Sequence, residues 1–389
     1  MKTIAVIFGS RSTEHDVSIV TAISSIIKPL ELSGEYQVEP VYIAKDGSWY
    51  WDQRLKDISL YQGDELDDFL RKAPKVHLLF DNGLTLVKSS QFAGRKAYKK
   101  IDVVFPAMHG THWEDGELMG VLEMAGVPYV GCGVSASAIA MDKVLAKLIA
   151  EAQGIKTPKM KFIQTHELER DSERFIKTVN DSLTYPLFVK PAHLGSSIGI
   201  TKVEDPKDLV NALEIAVHYD TKVLVEEGVQ NLIEVTVPII GNDALTTALV
   251  EKPLAKEDGV FDFETKYMNQ GKGGKKMGGG KHGSQGYSQL PAELPDGLYE
   301  KARETAMAVY KALGCEGIAR VDLLIDEKTG VVYFNEVNPL PGSLYAHNWR
   351  AAGISNVELV GRLVRLAEER FAAQSRTAKT FQTNFLKQF

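Results

Sequence analysis

The chain has 389 residues, of which 44% are hydrophobic and 25% are charged. This length predicts two or three domains, and the composition is typical of a globular protein. A net charge of −6 argues against a general nucleic-acid-binding protein, and no apolar run reaches the ~18 residues that cross a membrane. The amino terminus lacks the features of a signal peptide, so we expect a cytoplasmic enzyme. Cys132 and Cys315 lie far apart in apolar sequence and are expected to be reduced core residues.

The first part of the chain alternates between strand and helix patterns. Residues 2–8 are almost entirely apolar, and a helical pattern follows from about residue 13. Further strand patterns occupy residues 37–43 and 101–106. Strands separated by helices are typical of an open α/β sheet, which we expect over roughly the first 140 residues.

The pattern changes after a helical segment at residues 137–152. Short strands are predicted at residues 185–191, 222–227, 235–240 and 244–250. These strands indicate a smaller α+β unit. A final unit is expected to hold a helix at residues 298–313, two strands with acidic residues, and a helix at residues 357–371.

Three oxygen-bearing side chains lie on the two acidic strands. Glu336 and Asn338 are two residues apart and therefore share a face of their strand, and Asp322 can point the same way. Two carboxylates and an amide oxygen suit Mg²⁺, which leaves room for phosphate oxygens and water. Arg320 shares the face of Asp322 and could neutralise an anion. The alternative is a hydrogen-bonded polar patch at a sheet edge.

A lysine and a glycine-serine turn suggest a phosphate site. Lys190 ends an apolar strand, and the turn Gly195-Ser196-Ser197-Ile198-Gly199 follows it. The N–H groups and hydroxyls of such a turn can surround phosphate oxygens, although the order differs from a Walker A loop. A plain hairpin turn is the alternative, but a lysine within an apolar strand favours an anionic partner.

Further acidic and histidine residues are candidates for ligand contacts. Glu226 and Glu227 end a strand and Glu234 follows, so these carboxylates could accept hydrogen bonds from ribose or adenine; for Glu227 a solvated strand end is the stronger alternative. Glu14 lies at a helix start, where an acid can simply favour the helix dipole. His109 follows a predicted strand, where open α/β sheets bind ligands. His109 and His112 lack a third nearby ligand, which argues against zinc.

Residues 269–286 are dense in glycine and lysine. Such a segment cannot bury a core. It is either a flexible exposed loop or a lid whose lysines approach an anionic ligand.

Taken in chain order, these motifs resemble the D-alanine–D-alanine ligases of the ATP-grasp superfamily. The resemblance extends from residue 4 to about residue 364. It rests on GSRSTEHDVS at 9–18, VFPAMHG at 104–110, EDG at 114–116, VPYVG at 127–131, AMDK at 140–143, FVKP at 188–191, GSS at 195–197, ETKY at 264–267, RVD at 320–322 and NEVN at 335–338.

The resemblance implies an α/β chain with the ATP-grasp fold, built of three α/β or α+β domains, with the active site between the central and C-terminal domains. The expected domains are residues 1–141, 142–228 and 229–389, the last with a lid at about 268–292. The implied reaction is ATP-dependent joining of two D-alanines through an acyl phosphate, for peptidoglycan precursors. ATP and two Mg²⁺ ions, or Mn²⁺ in their place, are the implied cofactors, and a homodimer is implied.

The resemblance also implies residue roles. Lys143, Lys190, Ser197 and Lys266 would contact the ATP phosphates; Glu226, Glu227, Val229 and Glu234 would face adenine and ribose; Asp322, Glu336 and Asn338 would hold the metal ions. For the first D-alanine, Glu14 would hold the ammonium, Ser196 and Tyr267 would be linked to Glu14, and His109 would lie near the carboxylate. Arg320 and a backbone N–H near Gly342 would stabilise the oxyanion, and Ser343 and Leu344 would bind the second carboxylate.

Three departures from the family pattern bear on the acceptor. The loop after Asn338 is several residues shorter than usual, the expected lid is longer, and Trp113 stands where glycine is common. Tyr267 favours an amine acceptor over a hydroxy acid. A ligase of the same mechanism with another amino acid or amine as acceptor is therefore the main alternative. A non-catalytic nucleotide-binding regulator is a further alternative, which the combination of Arg320 with the metal ligands disfavours.

Overall fold

The computed structural model describes residues 1–89, 96–110, 113–195, 197–254, 288–378, 383 and 385–389. The strands are β1 (Lys2–Gly9), β2 (Tyr36–Ile43), β3 (Trp49–Trp51), β4 (Val76–Phe80), β5 (Leu84–Ser89), β6 (Lys96–Ile101), β7 (Val103–Pro106), β8 (Met160–Gln164), β9 (Leu187–Pro191), β10 (Thr201–Val203), β11 (Lys222–Glu227), β12 (Leu232–Gly241), β13 (Thr246–Thr247), β14 (Lys252–Pro253), β15 (Ser288–Gln289), β16 (Gly317–Asp326) and β17 (Val331–Asn338).

The α-helices are α1 (His15–Val20), α2 (Lys28–Ser33), α3 (Glu65–Lys72), α4 (Glu117–Ala125), α5 (Val134–Met141), α6 (Lys143–Ala152), α7 (Thr165–Arg170), α8 (Ser172–Ser182), α9 (Leu209–Tyr219), α10 (Leu298–Ala312), α11 (Ala346–Ala351) and α12 (Asn356–Ser375). A π-helical stretch, Thr21–Ile27, joins α1 to α2. Short 3-10 helices occupy Gln53–Lys56, Ile58–Tyr61, Pro206–Asp208, Gly342–Tyr345 and Phe385–Gln388. None of the described helices is both long and apolar enough to cross a membrane.

The first sheet has the strand order β3-β2-β1-β7, and β2, β1 and β7 run parallel. Every residue of β1 after Lys2 is buried, as expected for a parallel strand that is covered on both faces. The expected strand at 101–106 is divided, because Ile101 ends β6 in a separate antiparallel sheet and β7 begins at Val103. The carboxyl ends of β1 and β7 lead into the segments that contain Glu14 and His109.

Two further four-stranded sheets are antiparallel. One has the order β10-β9-β11-β8, and the other has the order β13-β12-β16-β17. Alternate residues of β16, such as Val321 and Leu323, are buried in a cluster that includes Ala306 and Val309 of α10 and Ala146 of α6. Because side chains alternate across a strand, the residues between them face the opposite side of the sheet.

Two further expected elements differ from the structure. The strand expected at 244–250 is only two residues long, because the side chain of Asn348 takes the place of a strand partner: it accepts from Leu249 N–H (2.9 Å) and donates to Leu249 C=O (3.0 Å). The helix expected at 137–152 is divided at Asp142, whose carboxylate accepts from the N–H groups of Val144 and Leu145 and caps α6. Cys132 and Cys315 are buried free thiols, as expected.

Two leucines on α2 provide a matched test of this core. Leu30 is 0% exposed and Leu32 is 78% exposed. We expect Leu30→Ala to lower the free energy of unfolding by about 2–5 kcal/mol, because it removes apolar contacts and leaves a cavity. Leu32→Ala should change the free energy by less than about 0.5 kcal/mol. Urea unfolding of both variants measures this, and equal losses would contradict the placement of α2.

Candidate active site

The candidate site is organised by the pairing of β16 with β17. Arg320 lies opposite Asn338, and Asp322 lies opposite Glu336. The register then shifts, so that Leu323 pairs with Phe334 and one extra residue is accommodated in β17. This bulge places two consecutive polar residues, Asn335 and Glu336, in half-buried positions. The four predicted residues of these strands therefore lie side by side.

Arg320 and Asp322 are joined by two parallel hydrogen bonds. Arg320 Nε donates to Asp322 Oδ1 (2.7 Å) and Nη2 donates to Oδ2 (2.6 Å). Asn338 Nδ2 also donates to Asp322 Oδ2 (3.2 Å). Such fork-shaped contacts fix the plane of a guanidinium group as well as its position. One side of the Arg320 guanidinium is thus held by the strand that carries it.

Residues from distant parts of the chain line a depression over β16 and β17. We call this depression the cleft. Together with the open solvent at its mouth, it encloses about 610 Å³ of space between atoms. Seven predicted residues line it: Glu14, His109, Lys143, Arg320, Glu336, Asn338 and Gly342. The remaining lining residues are Glu114, Ala140, Met141, Gly195, Val337 and Leu340. The fold therefore brings the first predicted motif and the last into a single polar cavity.

Lys143 reaches this cavity from the first turn of α6. Its Nζ lies 3.3 Å from Glu336 Oε2 and donates to the backbone C=O of Leu194 (2.5 Å). The helix is fixed at this end by Asp142, which also pairs with Lys222 (2.5 Å). Lys143 is thus held at the edge of the glycine-serine turn, beside one of the predicted metal ligands.

A buried group of three charges lies next to this turn. The Glu226 carboxylate pairs with Lys190 through Oε1 and with Lys147 through Oε2, the second at 2.9 Å. Glu226 is 1% exposed and Lys147 is 0% exposed. Burial acts to raise the pKa of Glu226, but the two lysine charges outweigh it and lower the pKa to about 2. The anionic partner expected for Lys190 is therefore a carboxylate of this chain.

Lys147 was not among the predicted site residues. It lies one turn after Lys143 on α6, and its Nζ also approaches the backbone C=O of Phe334 at 3.3 Å. Ala146 and Ala150, which flank it on the helix, are buried. A lysine between buried positions of an amphipathic helix was the signal that could have identified it.

The other residues expected near adenine and ribose lie around β11 and β12. Glu227 is half-buried at the end of β11 and accepts from the N–H of Thr184 (2.9 Å), so it is not simply a solvated strand end. Val229 is half-buried in the connection to β12, and Glu234 is exposed on β12. These residues lie at the end of β11, which also carries the buried Glu226, or after it in the chain.

The residues that the resemblance places near the first substrate form a separate hydrogen-bonded group. Glu14 is buried at the start of α1, and its side chain makes no capping hydrogen bond to that helix. The Ser12 hydroxyl donates to His109 C=O (2.7 Å) and accepts from Glu14 N–H (3.1 Å). Burial acts to lower the pKa of His109, but the neighbouring Glu114 carboxylate outweighs it and raises the pKa. Glu114, which sequence reasoning had not assigned, also accepts from Gly110 N–H (2.8 Å).

The turn at Gly342–Tyr345 has an uncommon backbone. Ser343, Leu344 and Tyr345 have φ values of 51°, 54° and 54°, in the left-handed region that L-residues avoid. Ser343 N–H donates to the Thr21 hydroxyl (2.9 Å), which also lies 3.2 Å from His109 Nε2. Leu344 is fully buried. Thr21 was missed because it lies in an apolar helical pattern with no motif of its own.

Several predicted residues lie outside the part of the chain that the structure describes. These are Ser196, Lys266, Tyr267, His112 and positions 268–287 of the expected lid. Ser197 is described and has a φ of 59° within the glycine-serine turn.

Family models of known proteins match both the N-terminal and the C-terminal part of the chain. The model of the D-ala D-ala ligase N-terminus matches residues 3–132, and that of the D-ala D-ala ligase C-terminus matches residues 149–365. The chain belongs to the D-alanine–D-alanine ligase family. The fold expected from this family, an α/β ATP-grasp fold, is confirmed by solved structures of its members.

The chain is similar to individual members over nearly its whole length. It is 38% identical to a D-alanine–D-alanine ligase of Acetivibrio thermocellus, over 95% of this chain and 96% of that protein. The crystal structure of the VanG D-Ala:D-Ser ligase from Enterococcus faecalis superposes with a TM-score of 0.78 at 31% identity, covering 94% of this chain and 99% of the other. The D-alanine–D-alanine ligase of Coxiella burnetii gives a TM-score of 0.77 at 25% identity, with 96% of each chain covered.

The buried charges predict a pH-dependent effect of Lys147→Met. In the wild type, the contribution of Glu226 is complete above its ordinary pKa of 4.5 and is lost as the pH falls toward 2. Removal of Lys147 should lower the free energy of unfolding at pH 7 by about 1–3 kcal/mol, because the buried Glu226 carboxylate loses one of its two partners while Lys190 remains. The pKa of Glu226 should rise, so stability should depend less on pH between 4.5 and 2.

Urea unfolding across this pH range measures both effects. The matched control is Lys202→Met, since Lys202 pairs with Glu204 on the surface. That variant should lose less than about 0.5 kcal/mol. A similar loss in both variants would refute the buried group of charges.

Proposed function

We propose that this protein is an ATP-dependent carboxylate–amine ligase that joins two D-alanines through an acyl phosphate, for peptidoglycan precursors. The supporting observation is the cleft, in which the buried Glu14 lies with Lys143, Arg320, Glu336 and Asn338. One anionic side chain can hold an amino-acid ammonium, while cationic and metal-binding side chains serve phosphates at the same cavity. The proposal includes action in the cytoplasm and, as in the resemblance, a homodimer.

The donor set of β16 and β17 fits magnesium. Asp322, Glu336 and Asn338 supply hard oxygen atoms on one side of the sheet, and Asn338 already contacts Asp322. Within the described residues, no three His, Cys, Asp or Glu side chains cluster as a metal-binding group. Two carboxylates and an amide oxygen suit a cation that keeps water and phosphate oxygens as its other ligands. When bound, Mg²⁺, or Mn²⁺ in its place, would neutralise phosphate charge.

The chemistry explains why the cleft needs positive charge. A carboxylate is a poor acyl donor, because oxide would have to leave. Transfer of the γ-phosphoryl group of ATP to the carboxylate oxygen gives an acyl phosphate and ADP, and this step needs positioning and charge neutralisation. Lys143 and Lys190, with the Ser197 turn, are placed at the ATP phosphates in this proposal. Lys266 has the same proposed role but lies outside the described residues.

The second step forms the peptide bond. The amine nitrogen of the acceptor bonds to the acyl carbon, phosphate leaves with the electron pair of the C–O bond, and the proton lost by the amine passes to phosphate or solvent. Negative charge develops on the carbonyl oxygen during this attack, so donors aimed at that oxygen accelerate it. We assign this role to Arg320 and to a backbone N–H near Gly342. Ser343 and Leu344 are proposed to face the acceptor carboxylate.

The remaining assignments concern the two substrates. Glu14 holds the ammonium of the first D-alanine, with Ser196 and Tyr267 linked to it, and His109 lies near its carboxylate. Glu226, whose carboxylate pairs with Lys147 and Lys190, is proposed to face the adenine and ribose. Glu227, Val229 and Glu234 line the adenine and ribose.

The proposed domain division is 1–141, 142–228 and 229–389. It is supported by the sheets, since β1–β7, β8–β11 and β12–β17 each fall within one of these ranges.

A ligase with a different acceptor is the second candidate. The similarity to a D-Ala:D-Ser ligase favours it, because that protein differs in its acceptor. The short turn at Gly342–Tyr345 stands at the proposed acceptor end, so the choice between the two candidates rests on this turn.

The test is phosphate release from ATP and Mg²⁺ with D-alanine alone, and then with a panel of other amino acids. We expect release with D-alanine alone, together with a dipeptide detected by mass spectrometry. Release only after a second compound is added would support the second candidate. No release with any amino acid would refute the ligase proposal.

The metal assignment predicts a loss in the Asn338→Ala variant. We expect kcat to fall by about 100-fold, equivalent to about 2.7 kcal/mol, because a ligand is removed. Binding of Mn²⁺, measured by electron paramagnetic resonance without substrates, should weaken as well. Asn356→Ala is the control, because Asn356 contacts Arg350 on the surface. Unchanged Mn²⁺ binding in the Asn338 variant would refute the metal assignment.

A further inference from the structure

The guanidinium of Arg320 is in contact with two side chains, and only one of them belongs to the strand that carries Arg320. Asp322 accepts from Nε and Nη2 of the guanidinium. The ring of Tyr345 covers the group, with 5.1 Å between Arg320 Cζ and the ring centroid. This distance is within the range of cation–π attraction. No role has been given so far to Tyr345.

Tyr345 is itself fixed by its neighbours. The Thr236 hydroxyl donates to its phenol oxygen (3.2 Å), and Thr236 lies opposite Asp322 on β12. The His347 ring packs against it with centroids 4.7 Å apart, and His347 Nε2 lies 2.9 Å from Glu251 Oε2. Burial raises the pKa of the Tyr345 phenol to about 12, so the ring is neutral at ordinary pH.

The backbone beneath this ring is also unusual. Tyr345 is the last of three consecutive non-glycine residues with positive φ. Left-handed backbone costs an L-residue roughly 1–2 kcal/mol, and such strain persists where surrounding contacts impose it. In an ordinary right-handed turn the side chain of Tyr345 would leave the backbone in another direction. The strained turn therefore determines where the ring lies.

We propose that Tyr345 is a positioning residue for Arg320. Its ring holds the guanidinium in the orientation that meets the carbonyl oxygen during attack of the acceptor amine. The inference rests on the proposed ligase function and deepens it, because it assigns a residue to the second chemical step alone. Formation of the acyl phosphate depends on the phosphate-binding lysines and should not require Tyr345.

This separation of steps gives a distinctive readout. If amine attack slows while the acyl phosphate still forms, water has more time to hydrolyse the intermediate. The ratio of phosphate released to dipeptide formed should then rise above one. A purely structural defect would lower both rates together and leave the ratio at one.

The experiment compares Tyr345→Leu with Tyr345→Phe. Tyr345→Leu removes the ring, and we expect dipeptide formation to fall by about 10-fold, within the roughly 2- to 30-fold range of one cation–π contact. The KM for ATP should stay within about twofold, and the phosphate-to-dipeptide ratio should exceed one. Tyr345→Phe keeps the ring and should restore the ratio to nearly one.

Tyr61→Leu is the matched control. Tyr61 is also half-buried, its phenol donates to one backbone C=O (Leu55, 3.0 Å), and its ring contacts Phe8 and Tyr42 away from the cleft. Its loss should lower stability without changing the ratio. A ratio of one in Tyr345→Leu, or equal behaviour of the Phe and Leu variants, would overturn the proposal.

Two further measurements keep the test decisive. If Tyr345→Leu fails to fold, Thr236→Val removes the hydroxyl that holds the phenol. A phosphate-to-dipeptide ratio above one in that variant supports the proposal, while a ratio of one overturns it.

The wild type is assayed first with D-alanine and with the amino-acid panel. A wild type that releases no phosphate refutes the ligase function itself, which is distinct from an active wild type with an unaffected Tyr345→Leu variant.

Discussion

The pairing of β16 with β17 is the constraint on which the rest of the site depends. Side chains alternate along a strand. The register that buries Val321 and Leu323 on one face of β16 therefore presents Arg320 and Asp322 on the other face. A shift of one residue would exchange these two sets. The bulge opposite Leu323 changes the register only after the polar residues have been paired, so it leaves the Asp322–Glu336 contact intact. Core packing and site geometry are thus fixed by one set of hydrogen bonds.

The charged side chains of the site differ in burial, and the most deeply buried carboxylate has two ion-pair partners. Glu226 and Lys147 are almost completely buried and form an ion pair, with Lys190 on the second carboxylate oxygen. Removal of Glu226 would leave two buried lysines facing each other, and removal of either lysine would take one of its two partners from the buried carboxylate. Lys143 and Arg320 line the cleft: Lys143 contacts Glu336 and the backbone C=O of Leu194, and Arg320 contacts Asp322 and the ring of Tyr345. The buried group of Glu226, Lys147 and Lys190 can therefore hold α6 and β9 together. Lys143 and Arg320 can meanwhile face a ligand in the cleft.

Sequence periodicity was sufficient where one element carried the information. Glu336 and Asn338 could be placed on one face of their strand because a period of two requires it. The contact of Lys147 with Glu226 could not be predicted, because it joins a helix to a strand about eighty residues away. The strand expected at 244–250 was wrong for a related reason: the partner of Leu249 is the side chain of Asn348, which no local pattern indicates.

The left-handed turn illustrates a second limit of sequence reasoning. Ser, Leu and Tyr have no preference for positive φ, so only the surrounding contacts can impose it. Three such residues cost roughly 3–6 kcal/mol. Burial of Leu344 contributes about 1.5–3 kcal/mol. The bonds of Ser343 N–H, Leu344 N–H and the Tyr345 phenol contribute about 1 kcal/mol each. The two sides nearly balance, so the turn depends on all of these contacts at once.

One of these contacts reaches across the site. The Thr21 hydroxyl accepts from Ser343 N–H and lies within hydrogen-bond distance of His109 Nε2. A hydroxyl has one proton to donate and can accept more than once, so it can serve both neighbours when the imidazole nitrogen is either donor or acceptor. The proposed first-substrate residue and the proposed acceptor turn are thus held by a single atom of the N-terminal helical segment. A displacement of that segment would disturb both contacts, so the spacing between the two proposed amino-acid sites depends on the N-terminal unit as well as on the C-terminal sheet.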